Sequence, residues 1–395
     1  MRHCVLISVC ALLLTLATGG AAAASAPPRV PQGFAGVAIE GPLWPGPRAA
    51  LDQQLDLMVA SGVETVRPEI TWAAVQPYAS WSDVPADQRS RFTNVDGLPL
   101  DLADLDMLVS DSARRGIAVE PVVADAPSWD AEPPAPNSFA STPVHYAPYG
   151  KFLQALIARY GPHGSLWNIG VPSLPIRRWQ VWNEPNLSIF WANQPNYAPS
   201  YVALLKVAHD AIKRADHGAT VVLAGLTNAS WLAIAKILKV RGASRLFDVA
   251  AAHPYTSRPA GVLTILRYFR KALDQGGARG RPILVDEFGW NSSLSHSGDH
   301  FGFETDERHQ ATYIGLALRE MGSNRVSLHL DGFDYYDWAG VESNGAYEFN
   351  FAGLLRYVNG VFVGKPALTT YRHYALGLER CRQKSRDARR CARHA

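Results

Sequence analysis

Two stretches of the chain share one design: Arg178-Trp179-Gln180-Val181-Trp182-Asn183-Glu184-Pro185-Asn186 and Arg281-Pro282-Ile283-Leu284-Val285-Asp286-Glu287-Phe288-Gly289-Trp290. Each is an apolar run of strand length that ends in carboxylates and is then broken by Pro185 or Gly289. Proline lacks the N–H that a sheet ladder needs, so the first strand stops there. A carboxyl group at such an end is held by rigid backbone yet opens past the sheet. Asn-Glu-Pro alone would read as a turn with a surface Glu; a second strand ending in acid changes that. The period-two alternation of a strand sends Asp286 and Glu287 to different sides. Glu287, on the face of Ile283 and Val285, is the expected site member, and Asp286 is read as a helix-side or loop salt-bridge partner. Two carboxyls converging from separate strands suit cleavage of a glycosidic bond. One protonates the leaving oxygen, and the other attacks the anomeric carbon or activates a water.

The elements that must position this pair follow from hydrophobic patterning. Short apolar or β-branched runs predict strands near Gly33–Ile39, Glu64–Arg67, Ala118–Val123, Arg178–Asn183, Val221–Ala224, Val249–His253, Ile283–Glu287 and Gly332–Tyr336. Helical patterns fall between them at Pro47–Ser61, Asp101–Arg115, Pro148–Tyr160, Tyr197–Ala215, Leu232–Lys239, Gly261–Gln275, Asp306–Met321 and Pro366–Leu378. Leu51, Leu55, Met58 and Val59 show the helical spacing, Ser61-Gly62 the stop, and Val63–Val66 the next strand. Eight such units predict an α/β fold, a single-domain (β/α)8 TIM barrel over residues 27–380. Strands four and seven then face each other across the mouth. The long loops Gln76–Pro99 and Ala124–Ala147 crowd the C-terminal face, where barrel active sites sit.

The bulk numbers agree. A chain of 395 residues, 47% hydrophobic and 18% charged, suits one large barrel. The net charge of +3 comes mostly from a basic tail between Arg380 and His394, so nothing suggests a nucleic-acid groove. Met1-Arg2-His3, the apolar run Cys4–Ala17 and the small-residue stretch Thr18–Ala26 predict a signal peptide over 1–26 and an exported protein, with the tail a solvated end or a cell-surface tether. No later segment approaches the ~20 apolar residues of a membrane span. Removing the leader leaves Cys381 and Cys391, expected to close the tail 381–395 by a disulfide worth about 2–3 kcal/mol; two free thiols are the alternative.

The ordered set of motifs resembles clan A glycoside hydrolases. Trp182-Asn183-Glu184-Pro185-Asn186, followed by Phe190-Trp191 and the Tyr197–Ala215 helix, is most similar to family 39, with family 5 next. Gly62 to Arg67 and Trp72 to Pro77 match the second strand and its loop, His253-Pro254-Tyr255 the sixth, and Tyr335-Tyr336-Asp337-Trp338 the eighth; Gly353-Leu354-Leu355 and Lys365-Pro366-Ala367 also have counterparts. The resemblance implies Glu184 as general acid/base and Glu287 as nucleophile. It also implies Asn183 as donor to the sugar 2-hydroxyl, Arg67 as the cation holding Glu287 ionised, and Tyr255 as a donor to Glu287. His253 either bridges the two glutamates or is a satisfied core histidine. On this reading Glu184 keeps its proton in a less polar setting, and the carboxyls lie about 5–5.5 Å apart, the spacing of retaining enzymes.

Trp129, Trp191, Trp290 and Trp338 follow predicted strands, where indole faces would stack on pyranose rings; Trp179 and Trp182 are assigned to packing. Asp125, a candidate subsite ligand, and Glu69, an acidic group near Arg67, read first as structural ion-pair formers. No metal or other cofactor is implied, since no phosphate loop and no strand-end His/Asp cluster with ligand spacing is evident. The expected partner of a monomeric chain is a carbohydrate. The rival readings are a transglycosylase and a non-catalytic carbohydrate-binding barrel.

Overall fold

The structure, a computed structural model, describes residues 30–133, 137–192, 194–294, 300–342 and 347–378. The expected leader over 1–26 and the basic tail 381–395 with Cys381 and Cys391 lie outside these residues.

Eight parallel strands close into a ring: β1 (Ala35–Ile39), β2 (Thr65–Thr71), β3 (Ala118–Val119 and Val122–Ala124), β4 (Arg178–Asn183), β5 (Thr220–Leu226), β6 (Val249–Ala252), β7 (Ile283–Phe288) and β8 (Leu330–Tyr335). The order runs β1, β8, β7 and so on down to β2, which pairs back onto β1 through Gly36↔Thr65 and Ala38↔Arg67. The third strand is split at Glu120-Pro121, where proline removes a ladder donor. Outside lie helices α1 (Arg48–Ala60), α2 (Ala103–Arg115), α3 (Tyr146–Tyr160), α4 (Tyr197–Ala215), α5 (Ser230–Leu238), α6 (Pro259–Gln275), α7 (Glu307–Leu328) and α8 (Pro366–Leu378). The chain therefore forms a (β/α)8 TIM barrel. Among the described residues no helix is long and apolar enough to cross a membrane.

Local chemistry explains the repeat. In α1, Leu51, Gln54, Leu55 and Met58 form the buried stripe, and Gly62 takes the left-handed φ of +80° that turns the chain into β2. α2 carries Asp104 and Asp106 in its first turn and Arg114 and Arg115 in its last, matching the helix dipole, and Gly116 ends it at φ +73°. The Asp306 side chain caps α7 by accepting from the His309 N–H at 2.7 Å.

The core divides as strand alternation requires. Val221, Leu223, Ala250, Ala252, Ile283 and Val285 join the large cluster beneath the helices, while Val222, Val249, Ala251 and Leu284 form a small separate cluster on the inner face. Much of the rest of the barrel interior is polar. Thr65 donates to Asp334 at 3.2 Å, and Arg178 pairs with Asp331 and Glu120. Gly36 makes this packing possible, because a Cβ there would lie 1.9 Å from Asp334 Oδ1 and 2.0 Å from Thr65 Oγ1. Gly36→Ala should therefore destabilise the barrel by about 1–3 kcal/mol. A urea-unfolding midpoint equal to that of the wild type would show that the buried Asp334 has room to move and that this account of Gly36 is wrong.

Candidate active site

Arg67 organises the barrel mouth. It sits on β2, two residues after the inward-facing Thr65, and is almost wholly buried. Its Nε donates to Gln180 Oε1 at 3.0 Å, its Nη2 to Asn183 Oδ1 at 3.1 Å and its Nη1 to Glu287 Oε1 at 2.8 Å. Asp286 Oδ2 lies 3.5 Å from Nε. Tyr255 donates to the second oxygen of Glu287, Oε2, at 3.1 Å. His253, fully buried after the inner-face residues Val249 and Ala251, joins the two halves of the site. Its Nδ1 is 2.7 Å from Glu184 Oε1 and 3.4 Å from Glu287 Oε2, and its Nε2 is 3.3 Å from Asp286 Oδ2. Gly225 on β5 leaves the space, since a Cβ there would meet the His253 ring at 1.9 Å.

Two departures from regular strand geometry bring these groups together. In β4, Gln180 faces Arg67, while Trp182 packs against Tyr149 and Trp191 on the helix side. Trp182 has φ +72° and Glu184 φ +38°, conformations costly for residues with a Cβ. The backbone reversal lets the consecutive Asn183 and Glu184 both reach the site. In β7, Val285 pairs with Phe333 but Phe288 with Tyr335, so β7 carries one extra residue over this stretch, a bulge. The alternation expected from sequence fails here. Ile283 and Val285 face the helices and Leu284 the axis, so Asp286 points inward by alternation and the bulge turns Glu287 inward as well. Asp286 is thus no helix-side or loop salt-bridge partner: it is fully buried between Arg67 and His253.

The electrostatics follow from burial and charge. Burial alone would lower the His253 imidazole, but Glu287, Asp286 and Glu184 raise it to about 10. Burial would raise Asp286, and His253 with Arg67 reverses this and holds it below the usual carboxylate range. For Glu287 burial prevails over His253 and Arg67, and the carboxyl rises to about 7. Arg67 thus moderates the burial of Glu287 rather than depressing it below its ordinary range. On the adjoining wall, burial and the neighbouring Glu40 lift Glu69 to about 8. No ion pair forms at Glu69 among the described residues, and Asp125 accepts from the Ser141 backbone N–H at 2.8 Å instead of pairing with a cation.

One oxygen of Glu184, one of Glu287 and a His253 nitrogen lie within 4.8 Å of one another, a set close enough to hold a metal ion. Both Glu287 oxygens already accept hydrogen bonds, however, and the adjacent guanidinium opposes a second cation.

Three of the four expected tryptophan platforms offer no face to solvent. Trp191 and Trp338 are 0% exposed and Trp290 1%. Their indole N–H groups donate to Ser200, Gln54 and the Thr256 carbonyl, so they brace the loops from within. Trp129 is half-buried, bonded to the Gln76 carbonyl and edge-on to Trp72. Tyr336 is one of the aromatic groups at the mouth, half-buried beside Phe349, with its hydroxyl donating to Glu40 at 2.8 Å. Sequence reasoning also missed Gln180 and Gly225. A polar residue inside an apolar strand and a glycine in a strand interior were the available signals.

No protein-family model and no curated protein matches the sequence. The fold matches solved glycosidase structures. A family 39 glycoside hydrolase from Bacteroides cellulosilyticus aligns with TM-score 0.61 and 20% identity over 87% of this chain and 63% of the other. A monomeric β-xylosidase from Caulobacter crescentus gives 0.57 and 18% over 86% and 67%. An exo-β-1,4-mannosidase from an Opitutaceae bacterium gives 0.58 and 17% over 91% and 60%. The chain thus spans about two thirds of the length of these structures or slightly less, and the likeness establishes the shared barrel fold.

His253 supplies a pH test. Its folded value of about 10 exceeds the ordinary 6.5, so its stabilising contribution is complete below pH 6.5 and is lost as pH rises through 10. The stability advantage of wild type over His253→Gln, read by urea unfolding at about pH 6, 8 and 10, should shrink across that window. A constant advantage would mean that the imidazole is neutral throughout.

Proposed function

We propose that this protein is a retaining O-glycosidase, with Glu287 as nucleophile and Glu184 as general acid/base. The observation that carries the reading is the approach of the two carboxyls from β4 and β7, close enough for one oxygen of each to lie within 4.8 Å of the other in a buried site. Inverting enzymes leave about 6.5–9.5 Å for a water between the groups, whereas direct attack calls for about 5–5.5 Å.

The surrounding groups support the division of roles. Arg67 and Tyr255 together engage both oxygens of Glu287, opposing the effect of its burial and holding it in position to attack the anomeric carbon. His253 engages only Oε1 of Glu184, leaving Oε2 to present a proton to the leaving oxygen. Two cations, Arg67 and His253, face three carboxyls, Glu184, Glu287 and Asp286, so one retained proton makes the cluster neutral. In the first step a Glu287 oxygen bonds to the anomeric carbon as the glycosidic C–O bond breaks, and Glu184 gives its proton to the departing oxygen. In the second, Glu184 takes a proton from water, which displaces Glu287. Asn183, its Oδ1 fixed by Arg67, offers its amide N–H to the sugar 2-hydroxyl.

The substrate in this reading is a β-linked oligo- or polysaccharide, in keeping with the β-xylosidase and β-mannosidase among the structural neighbours. The leader-like residues 1–26 favour export. Hydrolysis of a panel of aryl β-glycosides and soluble β-linked polysaccharides by wild type, Glu184→Gln and Glu287→Gln tests the reading. We expect turnover of at least one member, with losses of about 10²–10⁴-fold or more in either variant. Turnover that survives Glu287→Gln at the wild-type rate would reject it.

A further inference from the structure

Both catalytic glutamates sit at strand ends that open into the barrel mouth, yet Glu184 is only 7% exposed and Glu287 8%. The loops account for this. The loop after β3 is docked on the loop after β4: Phe139 N–H donates to the Ile189 carbonyl at 2.8 Å, and Ala192 N–H to Thr142 Oγ1 at 2.8 Å. On the opposite side, the loops after β7 and β8 form a second unit. There the Phe301 N–H donates to Glu348 at 3.0 Å and the Ser292 N–H to the Phe351 carbonyl at 3.1 Å. In an eight-stranded ring, strands three and four face strands seven and eight, so these two rims stand across the diameter of the mouth.

The rims meet through aromatic rings. Phe190 lies 5.6 Å from Phe139, Phe139 6.2 Å from Tyr347, and Tyr347 5.5 Å from Phe349, between ring centroids. Phe349 in turn rests 5.5 Å from both Tyr255 and Tyr336, rings that border Glu287 and Glu40. This row crosses the mouth from the loops after β3 and β4 to the loop after β8, while Glu184 and Glu287 open into the same mouth from β4 and β7. A glycan cleaved between the two carboxyls must cross the line between them, entering from the side of β1 and β2 or from the side of β5 and β6. The row of rings stands across the mouth through which it enters. Phe139 is 57% exposed and Tyr347 36%, so these two have no core to fill, and what they accomplish is the contact between rims.

We propose that the Phe139–Tyr347 contact roofs the active site and makes the enzyme act from the ends of glycan chains, with these two residues as its specificity determinants. The inference rests on the glycosidase reading above. An unbroken chain cannot be laid into a roofed passage from the side; it has to be threaded by an end. A short aryl glycoside enters either way.

The test compares wild type with Phe139→Ala/Tyr347→Ala on two probes: the aryl β-glycoside turned over best in the panel, and the soluble β-linked polysaccharide cleaved best, with viscosity and reducing ends followed together. Both positions are exposed and outside the catalytic machinery, so the double variant should fold and keep its kcat/KM on the aryl glycoside within about twofold. Wild type should release short products while viscosity holds. The double variant should raise the ratio of internal cuts to end release by about tenfold or more. An early viscosity loss with wild type, or an unchanged ratio in the variant, overturns the roof while the glycosidase reading stands. Silence of wild type on every aryl glycoside and polysaccharide overturns the glycosidase reading and the roof with it.

Discussion

A guanidinium almost shut off from water is the constraint around which this barrel is arranged. Burying a charge is costly unless it is paired and hydrogen-bonded. Arg67 meets that demand with Gln180, Asn183, Glu287 and Asp286, drawn from β4 and β7. Removing any partner leaves an unmatched charge or an orphaned donor, so the positions of those side chains are coupled. The same network sets the distance between the two glutamates: Arg67 and Tyr255 fix Glu287, and His253, held by Asp286, fixes Glu184.

That network requires the backbone to depart from ideal geometry. A regular β4 would not aim both Asn183 and Glu184 inward, and a regular β7 would not do so for both Asp286 and Glu287. The positive φ values at Trp182 and Glu184 and the bulge in β7 supply the missing turns. Such conformations persist only where the surroundings over-determine them. Here Trp182 is clamped between Tyr149 and Trp191, and its indole N–H is bonded to the Phe190 carbonyl. The buried tryptophans near the mouth act in the same way, as braces for loops. Flat apolar surface after a strand was read as a sugar platform, but loops that cross a barrel mouth also need a core of their own. Trp191, Trp290 and Trp338 furnish it.

The mouth has two unlike surfaces. On the side of β1 to β3, Glu40, Glu69 and Asp125 make an acidic wall with few cations to offset it. Across the diameter runs the aromatic row from Phe190 to Phe349. Carboxyls suit hydroxyl recognition and rings suit the apolar faces of sugars, which is the division of labour that the proposed glycosidase reading would require of them.

Much of the architecture was legible in the sequence because it is periodic. Hydrophobic stripes at helical spacing, β-branched runs and glycine stops are local features, and they located all eight strand–helix units, with β4, α4 and α8 matching their predicted bounds. Glu184 and Glu287 were legible as strand-end carboxylates, and Arg67, Asn183, His253 and Tyr255 through the family resemblance; the structure gathers them at one mouth. What only the tertiary structure decided is aperiodic or long-range. Whether Asp286 faces in or out depends on a bulge set by pairing with β8. Whether a tryptophan is exposed depends on loops packed from distant segments. The clearance at Gly225 has meaning only once His253, far along the chain, arrives beside it. Sequence reports the preferences of neighbours along the chain, and these outcomes were set by neighbours in space.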